Sequence, residues 1–255
     1  MFINISLVTY LLSFLMYVIF VFTRNAALKK VTNCFYYIGI AFLGIALFLR
    51  GIEAGHLPLS NTYETLILLA FLVATIYLFF SSQDKEKILA AGNSLLIVVI
   101  LAVTSLVTDN PRPLVPALQS NWLTIHVLFC FVSYASLAFA FIVSLINISP
   151  LKKRISLDLD IIEYKMIMFG YAFLILGITS GSVWGNQAWG TYWSWDPKET
   201  WSLITFFIYT IYLHLNQQSF WSNKKASLVS IVGFLFIVFT YFGVNYFLAG
   251  LHSYA

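Results

Sequence analysis

Eight long apolar runs leave this chain one solvent in which to fold. They lie at roughly 3–23, 33–50, 63–81, 88–107, 122–147, 166–183, 201–216 and 228–250, and each approaches the ~20 residues a helix needs to cross bilayer hydrocarbon. Only 9% of the 255 residues are charged, against about 25% in a soluble domain, so the chain cannot cover a water-facing surface. The expected fold is an all-α integral membrane protein, a polytopic bundle of about eight transmembrane helices forming one domain over residues 1–255. No internal repeat or low-complexity segment interrupts it. Soluble enzyme folds, nucleic-acid modules and disulfide-stapled secreted domains are excluded. The first run lacks a basic leader and is longer than the ~7–15 apolar residues of a signal peptide, so it reads as a span.

The net charge of +4 would suggest nucleic acid in a soluble protein; here the basic residues mark topology. Arg24, Lys29, Lys30, Lys85, Lys87, Lys152, Lys153, Arg154, Lys165, Lys224 and Lys225 follow spans one, three, five and seven. Arg50, Arg112 and Lys198 lie on the other side, eleven against three. Short loops rich in Lys and Arg stay on the cytoplasmic or stromal side, which sends both termini outside. The longest inner connection, 148–163, reads as a solvated turn. Cys34 and Cys130 fall near opposite membrane faces. They are too far apart for the roughly 4.4–6.8 Å Cα separation of a disulfide.

Five of the seven tryptophans fall between Trp184 and Trp201, in WGNQAWGTYWSWDPKETW. An interfacial aromatic belt distributes its tryptophans over many span ends, whereas these collect in one outer loop at about 184–201. Gly185, Gly190 and Pro197 break its helical pattern, and irregular backbone at a membrane is tolerated where it lines a cavity. The segment reads as a platform for a large, flat, apolar ligand, with the belt as the bland alternative. Trp and Tyr offer a rigid face together with a polar N–H or O–H.

Three of the four histidines lie on the same outer side: His56 in GIEAGHLPLSN, His126 a turn into span five, and His252 after span eight. An ionisable residue at membrane depth is a functional candidate. Two neutral imidazoles meeting from different helices beside an aromatic wall form an axial pair for haem iron; the alternative is that each is an interfacial polar anchor. Zinc fits less well, since no third or fourth ligand is near in spacing. His56 has no metal-site neighbours and is expected to hydrogen-bond within its loop. His214 sits near the inner end of span seven, as a snorkelling histidine or a second site.

WGTYWSWDPKETW resembles the tryptophan-rich "WWD" signature of haem-handling proteins. With GHLPLSNTYE, NWLTIHV, YLH and GVNYFLAGLHSYA in this order, the chain resembles the CcsA (ResC) family of System II cytochrome c biogenesis. The resemblance implies that His126 and His252 ligate haem b at the outer face, over a platform of Trp189, Trp193, Trp195 and Asp196. It implies that His214 belongs to a second haem site within the membrane, paired with a histidine of a CcsB (ResB)-like partner whose large outer domain this chain lacks. The implied function is the membrane subunit of a cytochrome c synthase. It moves haem to the periplasmic or lumenal side of a bacterial inner membrane or a thylakoid. There it presents haem for thioether attachment to the Cys-x-x-Cys-His motif of apocytochrome c, and is active only with its partner. Three alternatives are weighed: a CcmC-like haem chaperone, which has fewer spans; a transmembrane haem electron carrier, which needs no open platform; and a secondary transporter, which would show repeats or paired broken helices.

Overall fold

A computed structural model describes residues 1–80, 83–108, 110, 114–217, 223–248 and 250–252. Arg112, Ala249 and the closing Ser253, Tyr254 and Ala255 of the terminal motif lie outside the described residues. Among those described there is no strand, and each of the eight apolar runs is helical over most of its described residues. Five stretches are long and apolar enough to cross a membrane: Phe2–Thr23, Ala26–Ala54, Asn121–Ile148, Leu159–Trp189 and Asn223–Phe247. Thr62–Leu78 and Ile88–Thr104 are shorter apolar helices. The seventh run forms Pro197–Leu215, whose first turn is polar.

The helices pack as two compact units. The first holds α1 (Phe2–Thr23), α2 (Ala26–Ala54), α3 (Thr62–Leu78) and α4 (Ile88–Thr104). The Asn25 side chain accepts the Ala27 and Leu28 N–H groups, which starts α2 directly after α1 in the manner of an N-cap. At Gly39 a Cβ would stand 2.6 Å from the Tyr10 ring, so the glycine lets α1 and α2 approach. Tyr10, Tyr36, Leu43, Ile67 and Leu89 form the interior. The Arg50 guanidinium reaches the fully buried Glu64 carboxylate at 3.0 Å, and Glu64 also takes the Ser60 N–H at 3.0 Å. His56 bonds within its loop as expected, Nδ1 to the Leu57 carbonyl at 2.9 Å.

The second unit holds α5 (Asn121–Ile148), α6 (Leu159–Trp189), α7 (Pro197–Leu215) and α8 (Asn223–Val238). A π-helical turn, Phe239–Gly243, and a last helical turn α9 (Val244–Phe247) complete it. Three glycines on one face of α6 bring it against α5. A Cβ on Gly170 would lie 2.7 Å from Leu137, on Gly177 2.7 Å from the Cys130 sulfur, and on Gly181 2.6 Å from the His126 ring. Small residues allow this approach within a membrane, where close packing and interhelical hydrogen bonds replace the hydrophobic drive. Ser133 and Ser136 donate across the seam to the Gly170 and Met166 carbonyls at 2.7 and 2.8 Å. Apolar side chains such as Phe207, Ile211, Leu228 and Leu235 remain on the outside, where lipid takes the place of water. Cys34 and Cys130 are both free thiols.

Candidate functional site

The α5–α6 seam fixes the first histidine. His126 lies over Gly181, and its Nδ1 is 2.7 Å from the Gly177 carbonyl. A carbonyl oxygen only accepts, so the ring proton sits on Nδ1 and Nε2 keeps its lone pair. The ring stacks on Trp184, with centroids 6.0 Å apart and planes 14° apart. Trp184 is buried, and its indole N–H donates to the Ala117 carbonyl at 2.9 Å. Ser120 both caps α5 and donates to Gln187 on α6 at 2.9 Å, which holds the start of α5 and the end of α6 together.

The second histidine arrives from the far end of the sequence. His252 lies five residues beyond the end of α9, and its ring stands edge-on to Trp184 at 5.5 Å and to Trp189 at 4.8 Å. Its Nδ1 is 2.7 Å from the Asp196 carboxylate. This pairing fixes the tautomer and frees Nε2, the arrangement usual for metal-binding imidazoles. Asp196 also accepts the Leu251 N–H and caps α7 through the Lys198 N–H at 3.1 Å. Burial pushes its carboxyl upward, but the hydrogen bonds from His252 and the two backbone N–H groups outweigh this and hold it below the ordinary carboxylate range.

The tryptophan-rich segment is more helical than expected. Trp184, Gly185 and Trp189 belong to α6, and Trp201 belongs to α7. Gly185 is a buried helical residue, and Pro197 opens α7, where its missing N–H has no partner to lose. The irregular stretch is therefore only 190–196. Gly190 ends α6 at φ +78. Trp195 adopts φ +58, a left-handed conformation that costs a residue with a side chain roughly 1–2 kcal/mol. Glu199 holds the stretch in place, accepting the Ser194 N–H at 2.8 Å and the Asp196 N–H at 3.3 Å. Ser182 on α6 adds a bond to the Tyr192 carbonyl at 2.7 Å.

The predicted residues thus fall into three places. His126, His252 and Trp189 meet around Trp184. Trp193 and Trp195 form their own edge-on pair at 5.7 Å, with Trp195 67% exposed. His214 is exposed near the C-terminal end of α7, its Nδ1 2.8 Å from the Thr210 carbonyl. It lies eighteen residues along the chain from Asp196, about 27 Å at 1.5 Å per residue. Trp184, which touches both His126 and His252, stands out less in the sequence than Trp193 and Trp195, because its place depends on α6 continuing past 183. Among the described residues no three His, Cys, Asp or Glu side chains gather as a metal cluster. A closed zinc site needs four protein ligands, whereas haem iron asks the protein only for axial ones.

A sequence model described as "Cytochrome C assembly protein" matches residues 59–252. The cytochrome c biogenesis protein CcsA of Chlamydomonas reinhardtii is 39% identical over 228 residues, covering 83% of this chain and 65% of that protein. CcsA of Cyanophora paradoxa is 33% identical over 98% of both chains. Among solved structures, the cytochrome c haem lyase CcmF is similar with a TM-score of 0.65 at 15% identity, covering 94% of this chain and 45% of that one. At that identity the likeness concerns the fold. The chain spans just under two thirds of the Chlamydomonas protein and under half of the lyase.

Proposed function

We propose a role for a chain that belongs to the CcsA branch of the cytochrome c assembly protein family and is a membrane subunit of cytochrome c biogenesis: it presents haem b, its substrate, on the outer face for attachment to apocytochrome c. The carrying observation is the meeting of His126 and His252 on Trp184, each with Nδ1 bonded so that its Nε2 lone pair is available to a ligand. Haem reaches this site from the inner side, by way of His214 and a histidine of a CcsB (ResB)-like partner. The outer side is periplasm or thylakoid lumen, in keeping with the loop charges.

The chemistry asks for positioning. Each thiol of the Cys-x-x-Cys-His motif adds across one haem vinyl group, forming a carbon–sulfur bond at one vinyl carbon while the other carbon gains a proton. No net oxidation occurs. The porphyrin supplies this reactivity, and the protein holds its plane and iron in register with the two thiols, which lowers the entropic part of the barrier. The motif's own histidine then takes one axial position as the product leaves.

Co-expression with an apocytochrome c and a CcsB-like partner tests the role. The intact chain should raise covalently attached haem, and His126→Ala should abolish it with the protein still inserted. Haem released by acid–acetone extraction, without thioether linkage, would leave a delivery chaperone in its place.

A further inference from the structure

The sequence of the second unit contains five lysines and no arginine. Lys152, Lys165, Lys224 and Lys225 lie near the helix ends remote from His126 and Trp184, whereas Lys198 stands in the first turn of α7 beside the histidines. Its N–H bonds to Asp196 Oδ1 at 3.1 Å, the oxygen that also holds the His252 ring, and the residue is half-buried. The ammonium charge acts on Asp196 and Cys130 and on His126. Cys130 is one turn beyond His126 on α5, its Sγ 3.7 Å from the imidazole Nδ1, so the charge is directed across to α5 at the level of the two histidines. That position is unfavourable on two counts. A cation at a helix N-terminus opposes the macrodipole, and a charge partly withdrawn from water needs a partner. Among the described residues no carboxylate or carbonyl oxygen pairs with the ammonium. Asp196 is committed to His252 and to backbone N–H groups, and Glu199 to the N–H groups of Ser194 and Asp196.

We infer that Lys198 binds a propionate carboxylate of the presented haem and so sets which edge of the porphyrin faces α7. This rests on the haem-presenting role above. Two axial histidines fix the iron but leave the ring free to turn about the axis through it. Haem b carries its propionates on two adjacent pyrrole rings and its vinyl groups on the other two. A charge-assisted hydrogen bond to one propionate stops that rotation, and the vinyl edge is then held away from α7 in a single orientation for the two thiols. The compact ammonium on a flexible stem suits a carboxylate that has to be captured and later released.

Haem and its dimethyl ester test the assignment, because esterification removes the carboxylate charges and leaves the ring, the iron and the vinyl groups intact. Each is titrated into the haem-stripped complex of the chain with its partner and followed by Soret absorbance, the outer site being the binding that His126→Ala removes. The wild type should bind haem about 10–100-fold more tightly than the ester, the range expected for a hydrogen bond to a charged group. Lys198→Met should erase that preference by weakening haem and leaving the ester unchanged, which also shows that the variant is folded. Lys198→Arg should retain the preference. A wild type that binds both ligands equally overturns the inference without recourse to any variant. So does a preference that survives in Lys198→Met. Equal loss of haem and ester in both Lys198→Met and Lys198→Gln also overturns it, and makes Lys198 a structural residue. A wild-type complex that binds neither ligand at the outer face overturns the haem-presenting role itself.

Discussion

The two ends of the second helical unit each hold a cluster of polar side chains, and they satisfy those groups in opposite ways. At the end that the proposed topology puts on the inner side, the buried Glu163 accepts from Ser227 at 2.7 Å, Asn147 at 3.2 Å and Tyr212 at 3.3 Å. Asp160 accepts from Asn147, Asn223 and Lys152. Each donor there meets an acceptor inside the protein, though the buried Asn147 Oδ1 has no partner among the described residues, and the cluster ties α5, α6, α7 and α8 together. At the outer end each histidine is bonded among the described residues on one nitrogen only, and both rings lie against tryptophans. A cluster whose donors are taken up by carboxylates rigidifies; a pair of imidazoles with Nε2 unbonded among the described residues can receive a ligand. Removing residues from each end should therefore give different kinds of failure.

The largest effect belongs to the outer end. His126→Ala and His252→Ala should each abolish covalent cytochrome assembly while the protein still reaches the membrane. The test is the amount of haem-staining cytochrome c per unit of inserted protein. Normal levels in both variants would place the outer histidines with the structural groups and erase the contrast.

His214 should give the next largest effect. It lies at the inner end, yet it takes no part in the closed cluster there, since its Nδ1 bonds to its own helix and its ring is exposed. That leaves Nε2 available to a partner. His214→Ala, purified with the CcsB-like subunit, should carry less haem in total, while the remaining haem keeps a bis-histidine spectrum. An unchanged ratio of haem to protein would retire the inner station and make His214 a snorkelling residue.

Much of this contrast is legible in the sequence, and the remainder has definite physical causes. Hydropathy finds the spans because each must match the bilayer, and it therefore also places His126 and His252 at the same face. It misplaces the end of α6. Gly185 suggests a break there, but one glycine costs a helix only about 1 kcal/mol, and burial of Trp184 keeps the helix intact. The Asp196–His252 bond is beyond such a reading because it joins residues 56 apart. The Asp-Pro-x-Glu pattern identifies a helix start, and nothing local says that the cap's carboxylate also seats the C-terminal tail. The glycines at 177 and 181 acquire meaning only once α5 lies against them.

Glu163 should fail by stability alone. Glu163→Gln keeps one acceptor but turns the other toward donors already present, so Ser227, Asn147 and Tyr212 cannot all be satisfied. A buried polar group left unpaired costs about 1–3 kcal/mol. The thermal transition of the detergent-purified protein should fall accordingly, with haem per folded molecule unchanged. Loss of haem from the folded fraction would show that the two ends are energetically linked.

The smallest effect is expected where the outer end is most open, and it grades the aromatic wall from within. Trp189 touches the His252 ring and Trp184, whereas Trp195 is 67% exposed and touches Trp193. An aromatic contact contributes about 0.5–1.5 kcal/mol beyond the area it buries. Trp195→Ala also removes a side chain from a backbone position at φ +58, although alanine still carries the Cβ that makes this conformation unfavourable. The substitution should therefore weaken haem retention only a few-fold, and Trp189→Ala more than that, in wash-out measurements on the purified complex. If Trp195→Ala proves the more damaging, the haem plane rests against the irregular 190–196 stretch and not against the end of α6. If neither changes retention, these tryptophans are an interfacial belt, and the half-closed histidines alone distinguish the outer end from the inner one.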